Sequence, residues 1–146
     1  MSLESAVEGL FNQTQASKDA LQAAIGMEKI DVTLTLAQIN AGTAVVAAKA
    51  GESFCPVDVW MQTPGSDIAA ATLVRLVEET SSNVVISHVI ADLASSAWAA
   101  KAGGTVVTTY LGKVMAAGKA LLADKTGTTA TGANGGVRFI VFGFWV

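Results

Sequence analysis

Hydrophobic and polar positions change rhythm along this chain of 146 residues. Over residues 3 to about 25, Leu3, Val7, Leu10, Thr14, Ser17, Leu21 and Ala24 recur at alternating spacings of four and three. That is the seam of an amphipathic helix, widened at its two ends by Phe11 and Ile25. Ser2 can cap its first turn, Glu4 and Glu8 suit its positive end, and Gly26 is a stop signal. From Ile30 the period drops to two: Ile30, Val32, Leu34 and Leu36 alternate with Asp31, Thr33 and Thr35, a strand with one face inward. Asn40-Ala41-Gly42 reads as a turn, followed by a short strand over 43–48, a turn at 49–52 and a strand over 53–62. In the last of these, Val57, Val59 and Met61 oppose Asp58 and Trp60.

Thr63-Pro64-Gly65-Ser66-Asp67 is a loop signal. Strands follow over 71–79 and 83–90, joined by Thr80-Ser81-Ser82, and over 104–110. Residues 111–125 mix helix formers with Gly112 and Gly118; a turn at 116–118 and a strand over 119–123 are predicted there. Residues 126–136, rich in Thr, Gly and Asn, read as a loop. The last segment, Val137 to Val146, is apolar on both sides. Val137, Phe139, Val141 and Trp145 share one face, and Ile140, Phe142, Phe144 and Val146 share the other. Such a strand needs cover on both faces. No later element of the sequence follows to supply the second lid, so the expected lid is another molecule.

These segments predict a mainly β protein: an antiparallel β-sandwich domain over 30–146, preceded by an N-terminal helical arm over 1–29. Short strands at regular intervals without a βαβ rhythm fit a sandwich, jelly roll or barrel. Composition sharpens this. Charged residues make up 14% of the chain, against about 25% in an ordinary soluble domain. The mean hydropathy is +0.49. Yet no uninterrupted apolar stretch of about 18 residues exists to span a bilayer. Low charge without a spanning helix fits a subunit that buries surface against other chains.

Chemistry is sparse. The net charge is −3 and the nine cations stand singly, a poor grip on phosphate, so no nucleic-acid partner is expected. Cys55 is the one cysteine, too few for a disulfide framework or a cysteine-based zinc site; flanked by Phe54 and Pro56, it reads as a buried, inert thiol. No basic stretch leads into an apolar core at the N-terminus, so secretion is unsupported.

Asp124-Lys125-Thr126-Gly127-Thr128 resembles the phosphorylation sequence of P-type ATPases. That reaction needs further carboxylates, a nucleotide domain and a membrane pathway, so a strand end entering a hairpin is the better reading. Gly112 to Lys119 has five residues between its glycines and Ala120 after the lysine, which excludes a phosphate-binding loop. His88 is the single histidine, read as half-buried beside Val84, Ile86 and Ile90 and lacking a recognisable catalytic partner. Glu78-Glu79 reads as a solvated strand end. Trp60, Trp98 and Trp145 read as packing residues. No catalytic, cofactor-binding or metal-ligating set is expected.

Read together, Thr33–Gln62 and Lys119–Val146 resemble the small capsid decoration, or cement, proteins of tailed bacteriophages. The likeness runs over about residues 32–146. It is carried by Ile39-Asn40-Ala41-Gly42 after the leading strand, by Val57-Asp58-Val59-Trp60-Met61, by Gly118-Lys119-Ala120-Leu121, and by a Thr/Gly loop before an apolar closing strand. The resemblance implies a jelly-roll-like β-sandwich on the outer surface of an icosahedral head. It would bridge neighbouring major capsid subunits, without enzymatic activity or cofactor, in a protein made in the bacterial cytoplasm. Expected contacts, with the capsid or with a second or third copy of itself, are Leu3, Val7, Leu10 and Phe11 on the arm and Phe142, Phe144, Trp145 and Val146 on the closing strand. A phage tail or fibre component and a carbohydrate-binding β-sandwich with Trp60 or Trp98 as a stacking platform are the alternatives.

Overall fold

The computed structural model describes residues 26–63, 68–81, 83–89, 93, 98–100, 106–107, 110–132 and 136–146. The expected arm, with Leu3, Val7, Leu10 and Phe11, lies outside the described residues. Nine strands and one short helix follow in the order β1 (Met27–Thr35), α1 (Leu36–Ala41), β2 (Thr43–Val46), β3 (Phe54–Gln62), β4 (Ala69–Glu78), β5 (Val84–Val89), β6 (Trp98–Ala100), β7 (Val106–Val107), β8 (Leu121–Thr131) and β9 (Gly136–Trp145) among the described residues. They form two antiparallel sheets, one ordered β1-β9-β3-β6 and the other β2-β8-β4-β5-β7. The protein is thus mainly β, with its two sheets packed together in a sandwich-like arrangement.

The core is the interleaving of the two inner faces. Leu34, Val59, Met61, Val137, Phe139 and Val141 from the first sheet meet Val74, Leu76, Ile86, Leu121 and Ala123 from the second. The period-two rule places them: in β9, Val137, Phe139 and Val141 are fully buried while the residues between them are half-exposed. Burying a Val, Leu, Ile or Phe side chain stabilises by about 1.5–3 kcal/mol each, which makes this layer the main source of cohesion.

Several expectations need correction. β1 begins at Met27, taking three residues from the expected arm. It ends at Thr35, because Thr35 and Gln38 form a capping box: the Thr35 Oγ1 accepts from Gln38 N, and Gln38 Oε1 accepts from Thr35 N at 2.8 Å. The segment read as strand end and turn is therefore α1, closed by Gly42 at φ 72°. Val57 is not inward. The register of β3 against β9 shifts between Pro56 and Asp58, and this bulge turns Val57 out to 38% exposure.

The expected loop over 126–136 is largely strand: β8 runs to Thr131. It is bent by bulges against β4 near Ala71 and Leu73, where Gly127 at φ 78° sits so close to Thr72 that a Cβ would meet its Oγ1 at 2.6 Å. Asp124 to Thr128 consequently lies within a strand, not at a hairpin entry. β8 and β9 also belong to different sheets. The strand expected over 104–110 is described only as Val106–Val107, and Trp98–Ala100 is a strand the sequence reading missed.

Asn40 replaces a missing strand neighbour. Its amide donates to Ala130 O at 3.1 Å and accepts from Ala130 N at 2.9 Å, joining α1 to β8. Asn40→Ala would strip both partners from a buried backbone unit and is expected to cost about 2 kcal/mol; urea unfolding followed by circular dichroism checks it.

Candidate functional site

The four-stranded sheet shows its second face to the outside, and strand register fixes what lies there. β9 is the middle of three long strands. Lys29 and Asp58 flank Phe142, Asp31 and Trp60 flank Ile140, and Thr33 and Gln62 flank Arg138. Met27 and Cys55 flank Phe144 in the last row. Ile140, Phe142 and Phe144 thus make a half-exposed apolar stripe along the centre, with Trp60 beside it at 40% exposure.

Charged groups border the stripe and are mostly engaged. Arg138 forms a bidentate pair with Asp31, its Nε donating to Oδ1 at 2.8 Å and its Nη2 to Oδ2 at 2.6 Å. That hydrogen bonding holds the Asp31 carboxyl below its usual value against the opposing effect of burial, and the positive charges of Arg138 and Lys29 lower it further. Asp58 accepts from the Trp60 indole Nε1 at 3.0 Å and from Val59 N at 2.9 Å, so the indole is held from one side. Between these rows lies an open groove of about 330 Å³ lined by Lys29, Trp60, Ile140 and Phe142. Cys55, at the Phe144 end, is buried, and burial pushes its thiol pKa up, away from the reactive thiolate.

The four expected contact residues of the closing strand divide. Phe142 and Phe144 stand on the outer face. Trp145 turns to the inner side, where its ring packs on Phe54 with centroids 5.0 Å apart. Lys49 Nζ lies 4.2 Å from the Trp145 ring centre, and the Trp145 indole Nε1 donates to Glu28 at 3.4 Å. Val146 exchanges two backbone hydrogen bonds with Ser53, both 2.9 Å, and leaves its side chain 60% exposed. Trp145 and Val146 therefore fasten one end of the fold rather than extend the stripe. Lys29 was not expected in a contact surface and Trp60 was expected in one only as a sugar-stacking platform; they join the stripe because β1 and β3 both pair with β9.

The chemical candidates do not converge. His88 is fully buried on the inner face, opposite Val74 and on the same side as Ile86, not half-buried. Asp124 is paired bidentately with Arg75 across β4 and β8, at 2.8 and 2.6 Å, and Lys125 Nζ donates to Gly127 O. Glu78 is buried, not a solvated strand end. It accepts from Ala116 N, Ser81 Oγ and Asn83 Nδ2, while Glu79 accepts from Ala120 N. Among the described residues no cluster of His, Cys, Asp or Glu could hold a metal ion. Among the described residues, the outer face of β1-β9-β3 carries the half-exposed apolar stripe. No family model, no curated protein and no solved structure matches this chain.

Proposed function

We propose that this protein is a non-enzymatic virion subunit with a jelly-roll-like fold that decorates and stabilises an icosahedral phage head by bridging major capsid subunits. The strand order supports the jelly-roll reading. Apart from β7, β1 pairs with β9, β2 with β8, β3 with β6 and β4 with β5, and the contacts of β9 with β3 and of β8 with β4 join these pairs into the two sheets. These four are the pairs of one long hairpin closed at β4–β5 and rolled so that successive pairs fall in alternate sheets. That architecture serves capsid and lectin domains alike, so the choice between them rests on the surface.

The observation that carries the proposal is the outer face of β1-β9-β3: an apolar centre of Ile140, Phe142, Phe144 and Trp60 bordered by Lys29, Asp58 and the Asp31–Arg138 ion pair. This is the anatomy of a protein–protein contact, with a dry core and a polar rim. In a chain this poor in charge, the about 1,200–2,000 Å² of a specific interface can be buried with little desolvation cost. Residues 1–25, with Leu3, Val7, Leu10 and Phe11, are proposed as a second contact to the capsid or to a sister copy.

Co-sedimentation with heads of the phage that carries this protein tests the reading. The wild-type chain is expected to attach in hundreds of copies per head. The double variant Phe142→Asp/Phe144→Asp should lose attachment at least a hundredfold while keeping its circular dichroism spectrum. No attachment by the wild type, or undiminished attachment by the double variant, sinks the proposal. Six or twelve copies per particle would assign the protein to the tail instead. The exposed, fixed indole of Trp60 favours a second reading, glycan binding; retention of a glycan by the wild type and its loss in Trp60→Ala would establish it.

A further inference from the structure

Building on the decoration reading, we propose that the groove lined by Lys29, Trp60, Ile140 and Phe142 is an anchor pocket, and that it takes a bulky apolar side chain standing next to a carboxylate on the partner polypeptide. The register places the groove between two rows, Lys29–Phe142–Asp58 and Asp31–Ile140–Trp60. Its floor is Ile140 and Phe142, and its wall is the indole of Trp60, fixed through Asp58. A rigid, apolar recess of this kind is where interfaces concentrate their affinity, because an inserted side chain loses little further entropy from the receiving side.

Charge complementarity sets the second requirement. Four charged groups stand on these rows or just beyond them, and three are already engaged. Asp31 and Arg138 hold each other in a bidentate pair, and Asp58 is occupied by the Trp60 indole and Val59 N. The Lys29 side chain makes no hydrogen bond or ion pair among the described residues, although its charge acts on Asp31, and it lines the groove. An incoming carboxylate beside Lys29 at this apolar recess would form a charge-assisted hydrogen bond in partly desolvated surroundings. A sugar is the weaker fit: the floor offers no hydrogen-bonding side chain, and the adjacent carboxylate, Asp58, is already bonded.

Two small probes separate the requirements: N-acetylphenylalanine, with a free carboxylate, and its neutral amide. Titrated into the full-length, isotope-labelled protein, both should shift the backbone amide signals of Lys29, Ile140 and Phe142. The acid should bind at least fivefold more tightly. Lys29→Gln should erase that preference without changing the fold, Ile140→Ala should weaken both probes, and Lys29→Gln should lower head attachment at least tenfold. Equal affinity for acid and amide, shifts confined to other residues, or tighter binding of N-acetylglucosamine overturns the proposal. So does a groove that responds only in the full-length Leu10→Asp variant, which would mean that the chain's own N-terminal segment fills it. Unchanged head attachment by Lys29→Gln sinks the anchor pocket alone, whereas a wild-type protein that binds the probes but not the heads sinks the decoration reading.

Discussion

Gly143→Ala is expected to destabilise the protein by about 3 kcal/mol, although it adds a single methyl group to a β-strand. Gly143 lies on the inner side of β9, and Phe54 lies directly over it. A Cβ at this position would run into Phe54 Cζ and stand 2.8 Å from Phe54 Cε1 and 2.5 Å from the Cys55 carbonyl oxygen. The first two contacts could be relieved by moving the ring, but Phe54 is fully buried and packed against Trp145. The third is with backbone of the neighbouring strand, so β3 and β9 would have to separate. Urea unfolding should show a lower midpoint with an unchanged slope. Phe54→Ala alone should cost about 3–5 kcal/mol by opening a cavity. In the double variant the two losses should fall short of additivity, because removing the ring removes two of the three clashing contacts. Strict additivity would mean that the ring is not what confines Gly143.

The second large effect is expected at Glu78. Its carboxylate ties the β4–β5 turn, through Ser81 and Asn83, to the segment around Ala116. That segment closes one side of the fold by donating from Gly112 N to Pro56 O, Met115 N to Phe54 O and Gly118 N to Glu52 O. Glu78→Ala removes from a buried position the charged acceptor shared by three hydrogen bonds and should cost about 3 kcal/mol. Burial alone would raise the Glu78 pKa, but the hydrogen bonds from Ala116, Asn83 and Ser81, with the charge of Lys119, more than offset it, and the net direction is down from 4.5. The unfolded chain then takes up this proton more readily than the folded one. The stabilisation is therefore full above about pH 4.5 and is lost as the pH falls through the lower, folded-state value. Melting temperatures of the wild type and Glu78→Gln, measured from pH 7 to pH 3, should converge at the acid end. A gap that stays constant would show that the carboxylate's charge plays no part.

How far the sequence revealed this fold depended on whether a residue's environment was local. The alternation of Ile30 to Leu34 and of Val137 to Phe144 is a property of consecutive residues, and it gave both strands and both faces. The capping box of Thr35 and Gln38, followed by Gly42, was also a local signal for α1, hidden because the preceding alternation seemed to run on through Leu36. The second half of β8 was not legible. Gly127, Thr128 and Thr129 have loop composition, and they are held as strand by β4 and by Asn40, which is 90 residues from Ala130. Val57 misled because a bulge inverts orientation without changing composition. At the candidate site, Phe142 and Phe144 could be placed on an outer face from alternation alone. Trp60 and Lys29 could not, since only the order β1-β9-β3 puts them beside the stripe.

That same order has a consequence for biosynthesis. β1 leaves the ribosome early, yet its neighbour is made more than a hundred residues later; Asp31 and Arg138 are 107 positions apart. β3 waits for the same neighbour. Until residues 136–145 emerge, the four-stranded sheet lacks the strand that joins its two halves, while β4 and β5, consecutive in the chain, can already pair as a hairpin. Maturation should therefore be late and slow, in the millisecond-to-second range of proteins dominated by distant pairings. The nascent chain meanwhile holds adhesive edges that invite premature association or chaperone capture.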